Sequence, residues 1–502
     1  MSQAIALLNE ALAKARGGDL TGGSSLVDRA LSLEPKNPAV LYGRAILYRV
    51  EGRLGDAVRA CDAALAIAPH YAEAWLEKGT ILASGGSPRA ARKCFEKAAS
   101  LAPGNAAAHA QIAVMAARER EFDVVRKSAG AALAIDPHNI DASNALAAAM
   151  LDEGKIDGAA DLLAPLIEKV AAGSSRSKAF SLLAAASEKA GDHAAAYDWL
   201  VRANEDFLRA SAAMAQNRPG NTAIVEAIRQ GIEGVADWTT PIGLQNDFAR
   251  SVFLIGYPRS GTTLTENILA SIDGVAALEE RPTFMGADSE FLLCPPEEIP
   301  ASLQRFSEQD AAQLERLRQA YWDKVFASGI DRGTEHFVDM DPLKATRLPF
   351  IARMFPEARI IFMRRDPRDV VWSCFRTNFA LSSAALEFTT LERTAQHYDA
   401  MMRLSESARE RLDLPCHDLR YEGLVTDFDG TTRELCEFLG IDWSDAVGRF
   451  ADTAHRRGVA TASSGQIGKG LYDGRGQWKP YARWMEAVMP ILQPWIDRFG
   501  YA

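Results

Sequence analysis

From Ile5 to Ile167, apolar residues recur three or four positions apart, in runs broken by short polar turns. That spacing places them on one face of a helix. Prolines follow alternate runs at Pro35, Pro69, Pro103 and Pro137, each 34 positions after the last, and their lead-ins are near copies: ALSLEP, ALAIAP, AASLAP and ALAIDP. A small residue returns wherever two helices would cross. It is Ala45, Gly79, Ala113 and Ala147 in the first helices, and Ala30, Ala64, Ala98 and Ala132 in the second. Two short helices cannot bury their apolar faces alone, so the pattern predicts stacked helical hairpins forming a solenoid. About five units fill Ile5 to Ile167. A sixth, less regular pair follows the insertion Ala171 to Ser177 and runs through Ala184, Ala196, Trp199 and Ala203. The repeat array is taken as residues 1–210.

Past residue 210 the helical period weakens. Residues 211–247 read as a linker holding one short helix, IVEAIRQGIEGV. From residue 248 the pattern changes kind. Val252 to Ile255 is a β-branched and apolar run of strand length. Gly256-Tyr-Pro-Arg-Ser-Gly261 breaks it, and from Thr262 the apolar positions Leu264, Ile268 and Ile272 return to helical spacing. The stretch is strand, glycine loop, helix. The junction repeats at Ile360 to Met363, a buried strand followed by Asp366 as helix cap, Pro367 at the first position and Asp369 at the third. His336 to Pro342 reads as another strand ending in a polar turn, Cys416 to Leu424 as a strand-to-helix junction, and Ser307 to Phe326 as an amphipathic helix with Leu314, Leu317, Tyr321 and Val325 on one side. Strands alternating with helices predict an α/β domain with a central parallel sheet over residues 248–502.

A glycine loop between strand and helix aims backbone N–H groups and the positive end of the helix dipole at one point, which suits a phosphate. Its two glycines match the P-loop spacing GxxxxGK[ST], but Thr262 stands in place of the lysine and the cation sits inside the loop at Arg259. A guanidinium fork with the hydroxyls of Ser260, Thr262 and Thr263 can hold a phosphate-like anion without a metal. Arg365 lies at the end of the Ile360 strand, where ligands of open α/β sheets bind, and Ser373 follows eight residues later.

Trp75, Ala91, Phe95, Ala98 and Pro103 follow the tetratricopeptide (TPR) signature, so the array resembles a TPR solenoid. Its groove can take a peptide or protein, or serve only as an arm or a dimer surface. The order PRSGTT after an apolar strand resembles the 5′-phosphosulfate loop of sulfotransferases, which use 3′-phosphoadenosine 5′-phosphosulfate (PAPS). Arg365 and Ser373 resemble that family's site for the 3′-phosphate. In tyrosylprotein sulfotransferases and bacterial TPR-linked sulfotransferases a glutamate 21 residues after the loop arginine is the general base, a role the resemblance carries to Glu280. Glu279 beside it is the alternative by one position. A carboxylate in a dry cleft can take the proton of an acceptor hydroxyl as the S–O bond forms. The same relatives carry a lysine where this chain has Met340, and Lys344, four residues on, is the candidate to supply that charge. CHDLRYEGL at Cys416 resembles a late stretch of the family that is mainly structural. The glycine-rich segment Thr461 to Tyr481 resembles its cofactor-covering terminal loop, with Gly476, Trp478 and Tyr481 matching and Lys469 and Arg475 as further candidates for the anion.

The resemblance implies a TPR array joined to a PAPS-dependent sulfotransferase domain, with no metal. The hydroxyl acceptor would be a tyrosyl peptide, a sugar or a small alcohol. The competing readings are a TPR scaffold whose second domain binds nucleotide without turnover, motivated by Met340, and an ATP-dependent kinase, against which the missing P-loop lysine argues. Composition narrows the rest. A chain of 502 residues allows two or three domains, and 48% apolar and 24% charged residues are those of an ordinary globular protein. A formal net charge of −10 argues against general nucleic-acid binding. The six cysteines form no CxxC pair and read as reduced thiols, not a zinc site or disulfide framework. Glu10 and Lys14 interrupt the first helix, so it is not read as a signal peptide, and no apolar run reaches transmembrane length. A cytoplasmic location is the expectation.

Overall fold

The computed structural model describes residues 2–212, 219–241, 243–244, 248–457 and 470–501. The chain divides into two compact units, Met1–Ala196 and Tyr197–Ala502.

The first unit is built of helical hairpins. Its helices are α1 (Gln3–Arg16), α2 (Leu20–Leu33), α3 (Pro38–Val50), α4 (Leu54–Ile67), α5 (Ala72–Ser84) and α6 (Pro88–Leu101). They are followed by α7 (Ala106–Arg118), α8 (Phe122–Ile135), α9 (Ile140–Asp152), α10 (Ile156–Ile167), α11 (Ser174–Lys189) and the start of α12 (His193–Ala210). The periodic prolines act through the residue before them. Glu34, Ala68, Ala102 and Asp136 leave the helical region, with ψ between 76° and 96°, and so end α2, α4, α6 and α8. Asn37, Asn105 and Asn139 then cap the next helix by accepting backbone N–H bonds. The small residues are where helices touch. Ala30, Ala45, Ala64, Ala98, Ala113, Ala132 and Ala147 are fully buried. A Cβ on Gly79 would come within 2.5 Å of the Phe95 ring, which fills that crossing.

The insertion expected at Ala171 to Ser177 is already helical from Ser174. Ser175 Oγ donates to Asp141 (2.6 Å) and Asn144 Nδ2 donates to the Ser175 carbonyl (2.8 Å), tying that turn to α9. The six cysteines are free thiols. No helix among the described residues is long and apolar enough to cross a membrane.

The division places Tyr197–Ala210 with the second unit, where the sequence period had carried the array to residue 210. Tyr197 stacks on Trp484 (4.6 Å) and Phe375 (5.6 Å), and Asn204 Nδ2 donates to the Phe375 carbonyl (3.1 Å). The span read as a linker contains α13 (Asn221–Gly234), whose Val225, Ile228 and Ile232 are buried within this unit.

Five parallel strands form the sheet: β1 (Arg250–Ile255), β2 (Val275–Glu279), β3 (His336–Met340), β4 (Arg359–Arg364) and β5 (Cys416–Arg420), in spatial order β2-β3-β1-β4-β5. The chain leaves β1 for the far edge at β2 and later returns to β1's other side with β4. The carboxyl end of β1 is therefore a point where connections diverge, which opens a crevice there. Helix α14 (Thr262–Leu269) buries Leu264 and Ile268 on one sheet face with Val252, Leu254, Val338, Met340, Ile361 and Met363. On the opposite face Phe253, Phe284, Tyr321 and Phe355 pack with ring centroids 4.8–6.2 Å apart.

The helix expected over Ser307 to Phe326 is α15 (Ala311–Ala327). Ser307 instead ends the preceding helix, because Asp310 and Gln313 form a reciprocal capping box that starts a new one. Leu314, Leu317, Tyr321 and Val325 are its buried face.

Candidate active site

Between Ile255 and Thr262 the backbone makes a closed turn. Ser260 N–H and Oγ–H both donate to the Tyr257 carbonyl, at 3.1 and 2.7 Å, and Gly256 N–H donates to the Pro342 carbonyl at 3.2 Å. Gly256 has no room for a side chain: a Cβ would lie 2.9 Å from the Met363 carbonyl. Gly261 caps α14 at φ 112°, a left-handed conformation that glycine adopts without strain. Arg259 also has positive φ, 70°, without glycine's excuse. Such a residue costs about 1–3 kcal/mol and persists only when its surroundings fix it. Thr262 and Thr263 open the helix and are buried beside the loop.

Arg259 Nε donates to Ser373 Oγ (3.1 Å) on α16 (Pro367–Phe375), the helix that Asp366 caps by accepting from Arg368 N–H. Arg365 Nη1 donates to the Arg259 carbonyl (2.8 Å), and its guanidinium lies 4.6 Å over the Tyr421 ring. The structure thus brings together Arg259, Ser260, Gly261, Thr262, Thr263, Arg365 and Ser373. Burial lowers the pKa of Arg259, and the like charges of Arg365 and Arg376 push in the same direction. Arg365 Nε is buried with no hydrogen-bond partner. Cationic groups crowded onto a glycine loop, one still holding a free donor, are disposed for an anion.

The chain's last segment lies across Arg365. Arg365 Nη2 donates to the Gly474 carbonyl, Gly474 N–H donates to Tyr421 Oη (3.0 Å) and Tyr421 donates to the Tyr472 carbonyl. Asp369 accepts from Gly476 N–H (2.7 Å) and Trp478 N–H (3.1 Å), Trp372 stacks on Tyr481 at 3.8 Å, and Arg368 sits 4.6 Å over Trp478. Tyr421, in the stretch read as mainly structural, contacts Arg365 and the last segment here. Arg475 turns away and pairs with Asp473 at the surface. Lys469 lies outside the described residues.

Glu280 follows β2 with φ 45°, its N–H donating to the Met340 carbonyl (2.8 Å). Glu280 is exposed, yet the protein around its carboxylate raises its pKa to about 7. Loss of hydration is the main cause, reinforced by Asp341, Glu279 and Glu266, while Lys344 opposes it. Met340 is fully buried in the apolar face under the sheet. Lys344 is also buried, its ammonium bonded to Asp339, whose other oxygen accepts from Thr283 (2.8 Å) and Tyr321 (2.9 Å). Its charge is neutralised inside the fold, so it does not stand free in the place of the expected lysine. Among the described residues no cluster of His, Cys, Asp or Glu is disposed to hold a metal ion.

Sequence reasoning left His397 without a role. It is fully buried between Tyr257 Oη (2.7 Å) and Asn221 Oδ1 (2.8 Å), and burial lowers its pKa to about 3. No periodicity flags it, because residues 257, 397 and 221 meet only in three dimensions.

Residues 251–445, from the first strand to beyond Ser373, match the family model described as the sulfotransferase family. The second unit is sulfotransferase-like. An uncharacterized protein of Aquifex aeolicus is 30% identical over 252 residues, which is 49% of this chain and 32% of that protein. The match thus spans about a third of that relative's length. Protein-tyrosine sulfotransferase 1 of Danio rerio is 23% identical over 270 residues, covering 50% of this chain and 72% of the relative. Among solved structures, PilW, a type IV pilus biogenesis factor, aligns with 41% of this chain and 95% of its own at 21% identity and a TM-score of 0.37. The chain is an α-helical repeat unit followed by a P-loop-like unit with a parallel sheet, and residues 251–445 of that second unit are similar to the sulfotransferase family.

Proposed function

We propose that the sulfotransferase-like unit moves a sulfuryl group from PAPS to an acceptor hydroxyl. One observation carries the reading: half-buried Arg259 and buried Arg365 converge on the glycine loop, with Arg365 Nε left unbonded. A nucleotide bearing phosphates at both its 3′ and 5′ positions is matched to two such anchors. When bound, PAPS supplies a sulfuryl group on a phosphate leaving group. The loop N–H groups, Arg259, Ser260, Gly261, Thr262 and Thr263 hold the 5′ end, where they stabilise charge that grows on the leaving oxygen. Arg365 and Ser373 hold the 3′-phosphate.

Glu280 takes the acceptor proton at its carboxylate. A pKa near 7 keeps the group basic enough to accept a proton yet largely ionised just above neutrality. The acceptor is a hydroxyl compound, and the TPR groove is a surface on which a peptide or protein could be presented. Met340 in the apolar core and the paired Lys344 favour one second reading, a nucleotide-binding unit with slow turnover.

Calorimetric titration with adenosine 3′,5′-bisphosphate, against ATP, tests the assignment. Wild type is expected to bind the bisphosphate and to prefer it over ATP. Arg365→Ala removes at least one charge-assisted bond worth about 1.5–3 kcal/mol, and weakens binding by roughly 10–150-fold or more. Preference for ATP, or equal binding by the variant, overturns the assignment.

A further inference from the structure

The positive φ of Arg259 has to be held from somewhere. The loop's own bonds, from Ser260 to the Tyr257 carbonyl and from Gly256 to Pro342, set its outline. Arg365 supports it from the ligand side. A third support comes from beneath, through the side chain of Tyr257, which points away from the loop into the core. Its ring is fully buried, with Tyr398 at 5.0 Å, His397 at 5.6 Å and Phe388 at 6.0 Å. Packing alone would be served by a phenylalanine. The hydroxyl instead meets His397 Nδ1 at 2.7 Å, and His397 Nε2 meets Asn221 Oδ1 at 2.8 Å.

The proton positions follow from the far end. Asn221 Nδ2 donates to Ser383 Oγ (3.2 Å), which leaves Oδ1 facing the imidazole as acceptor. Nε2 therefore carries the proton, and Nδ1 accepts from Tyr257 O–H. The imidazole is neutral, since burial moves its pKa down to about 3. The far end is itself anchored: Asn221 opens α13, and Thr222 N–H donates to Glu387 Oε1 at 3.3 Å. A buried chain of polar groups in which every member is bonded rigidifies what it touches, whereas an apolar contact of the same volume tolerates slippage.

We propose that Tyr257, His397 and Asn221 form a positioning strut that holds the Gly256–Gly261 loop in the shape that grips the 5′ anion. The strut rests on the reading of that loop as an anion site. It assigns a task to a residue from the span read as a linker and to a histidine outside the chemistry. None of the three touches the reacting atoms. Their effect on transfer passes through the loop backbone.

Tyr257→Phe is the first test, because it keeps the ring and deletes only the hydroxyl. Amide hydrogen exchange is compared in residues 256–261 and in β1 and β4. The expectation is about tenfold faster exchange in the loop with the strands unchanged, together with roughly tenfold weaker binding of adenosine 3′,5′-bisphosphate, as losing one buried hydrogen bond implies. A merely structural role would speed exchange throughout the sheet and leave the affinity of the folded protein intact. Asn221→Ala, at the far end, is expected to move the same readouts in the same direction and serves if Tyr257→Phe does not fold. In wild type, the imidazole 15N–1H spectrum should show the Nε2–H tautomer of His397 without titration between pH 5 and 9. Unchanged loop exchange in both variants, or a His397 that titrates in that range, overturns the strut. Failure of wild type to bind the bisphosphate overturns the sulfotransferase reading, and the exchange and imidazole data then decide the strut alone.

Discussion

Glu266 offers a sharp test of the electrostatics around the candidate base. It sits fully buried on α14, with Oε1 accepting from Arg457 Nη2 at 2.6 Å and Oε2 buried without a partner. Burial raises its pKa to about 7; Glu279 adds to the shift and Arg457 opposes it. Below pH 4.5 both the folded and the unfolded chain hold this proton, so the group contributes nothing. Between 4.5 and 7 the unfolded chain ionises while the fold resists, and the fold loses stability as pH rises. Above 7 the full penalty applies, about 2.5 pK units or about 3 kcal/mol at 1.36 kcal/mol per unit. Glu266→Gln keeps the shape and abolishes the titration. Its stability relative to wild type should therefore improve by about 3 kcal/mol between pH 4.5 and pH 8. Urea unfolding followed by tryptophan fluorescence reads the right unit, because of nine tryptophans all but Trp75 lie in Tyr197–Ala502. A difference between variant and wild type that stays constant across this range would refute the argument. The same change removes a negative neighbour of Glu280, so the acid limb of the activity profile should move to lower pH.

Glu280→Gln should reduce transfer by about 10²–10⁴-fold, the usual worth of a general base, while leaving bisphosphate affinity within about twofold. In wild type kcat/KM should fall below pH 7 with the loss of one proton acceptor, and a flat profile from pH 5 to 8 would remove Glu280 from that role. In the repeat unit, Phe95→Ala opens a cavity at the Gly79 crossing and should cost about 3–5 kcal/mol. Hydrogen exchange over α5–α7 would show it, and a cost below about 1 kcal/mol would mean the crossing does not depend on that ring.

Much of this was legible along the chain because it is written in local terms. A proline acts on the residue before it, a small residue at a helix crossing acts on the nearest neighbour, and a strand–glycine–helix junction is complete within about 20 residues. The sequence therefore pointed to Arg259, Arg365 and Ser373, which the structure brings together at the loop. The helix expected from Ser307 was placed four residues early, since its true start depends on the reciprocal bonds of Asp310 and Gln313. The unit boundary near Tyr197 was invisible for a different reason. The repeat period continues through α12, and only the partners of Tyr197 and Asn204 assign that stretch.

By itself, then, the sequence determined the two architectures, the glycine loop and the arginines beside it, because helix and strand periodicity, proline and glycine act over short spans. Tertiary structure alone decided the charges and their partners. It sank Met340 into the core, closed Lys344 onto Asp339, buried Glu266, raised both Glu266 and Glu280 through lost hydration and nearby carboxylates, and joined Tyr257 to His397 and Asn221. Desolvation and Coulomb forces depend on distance in space, and residues 221, 257 and 397 become neighbours only when the sheet and its helices have folded.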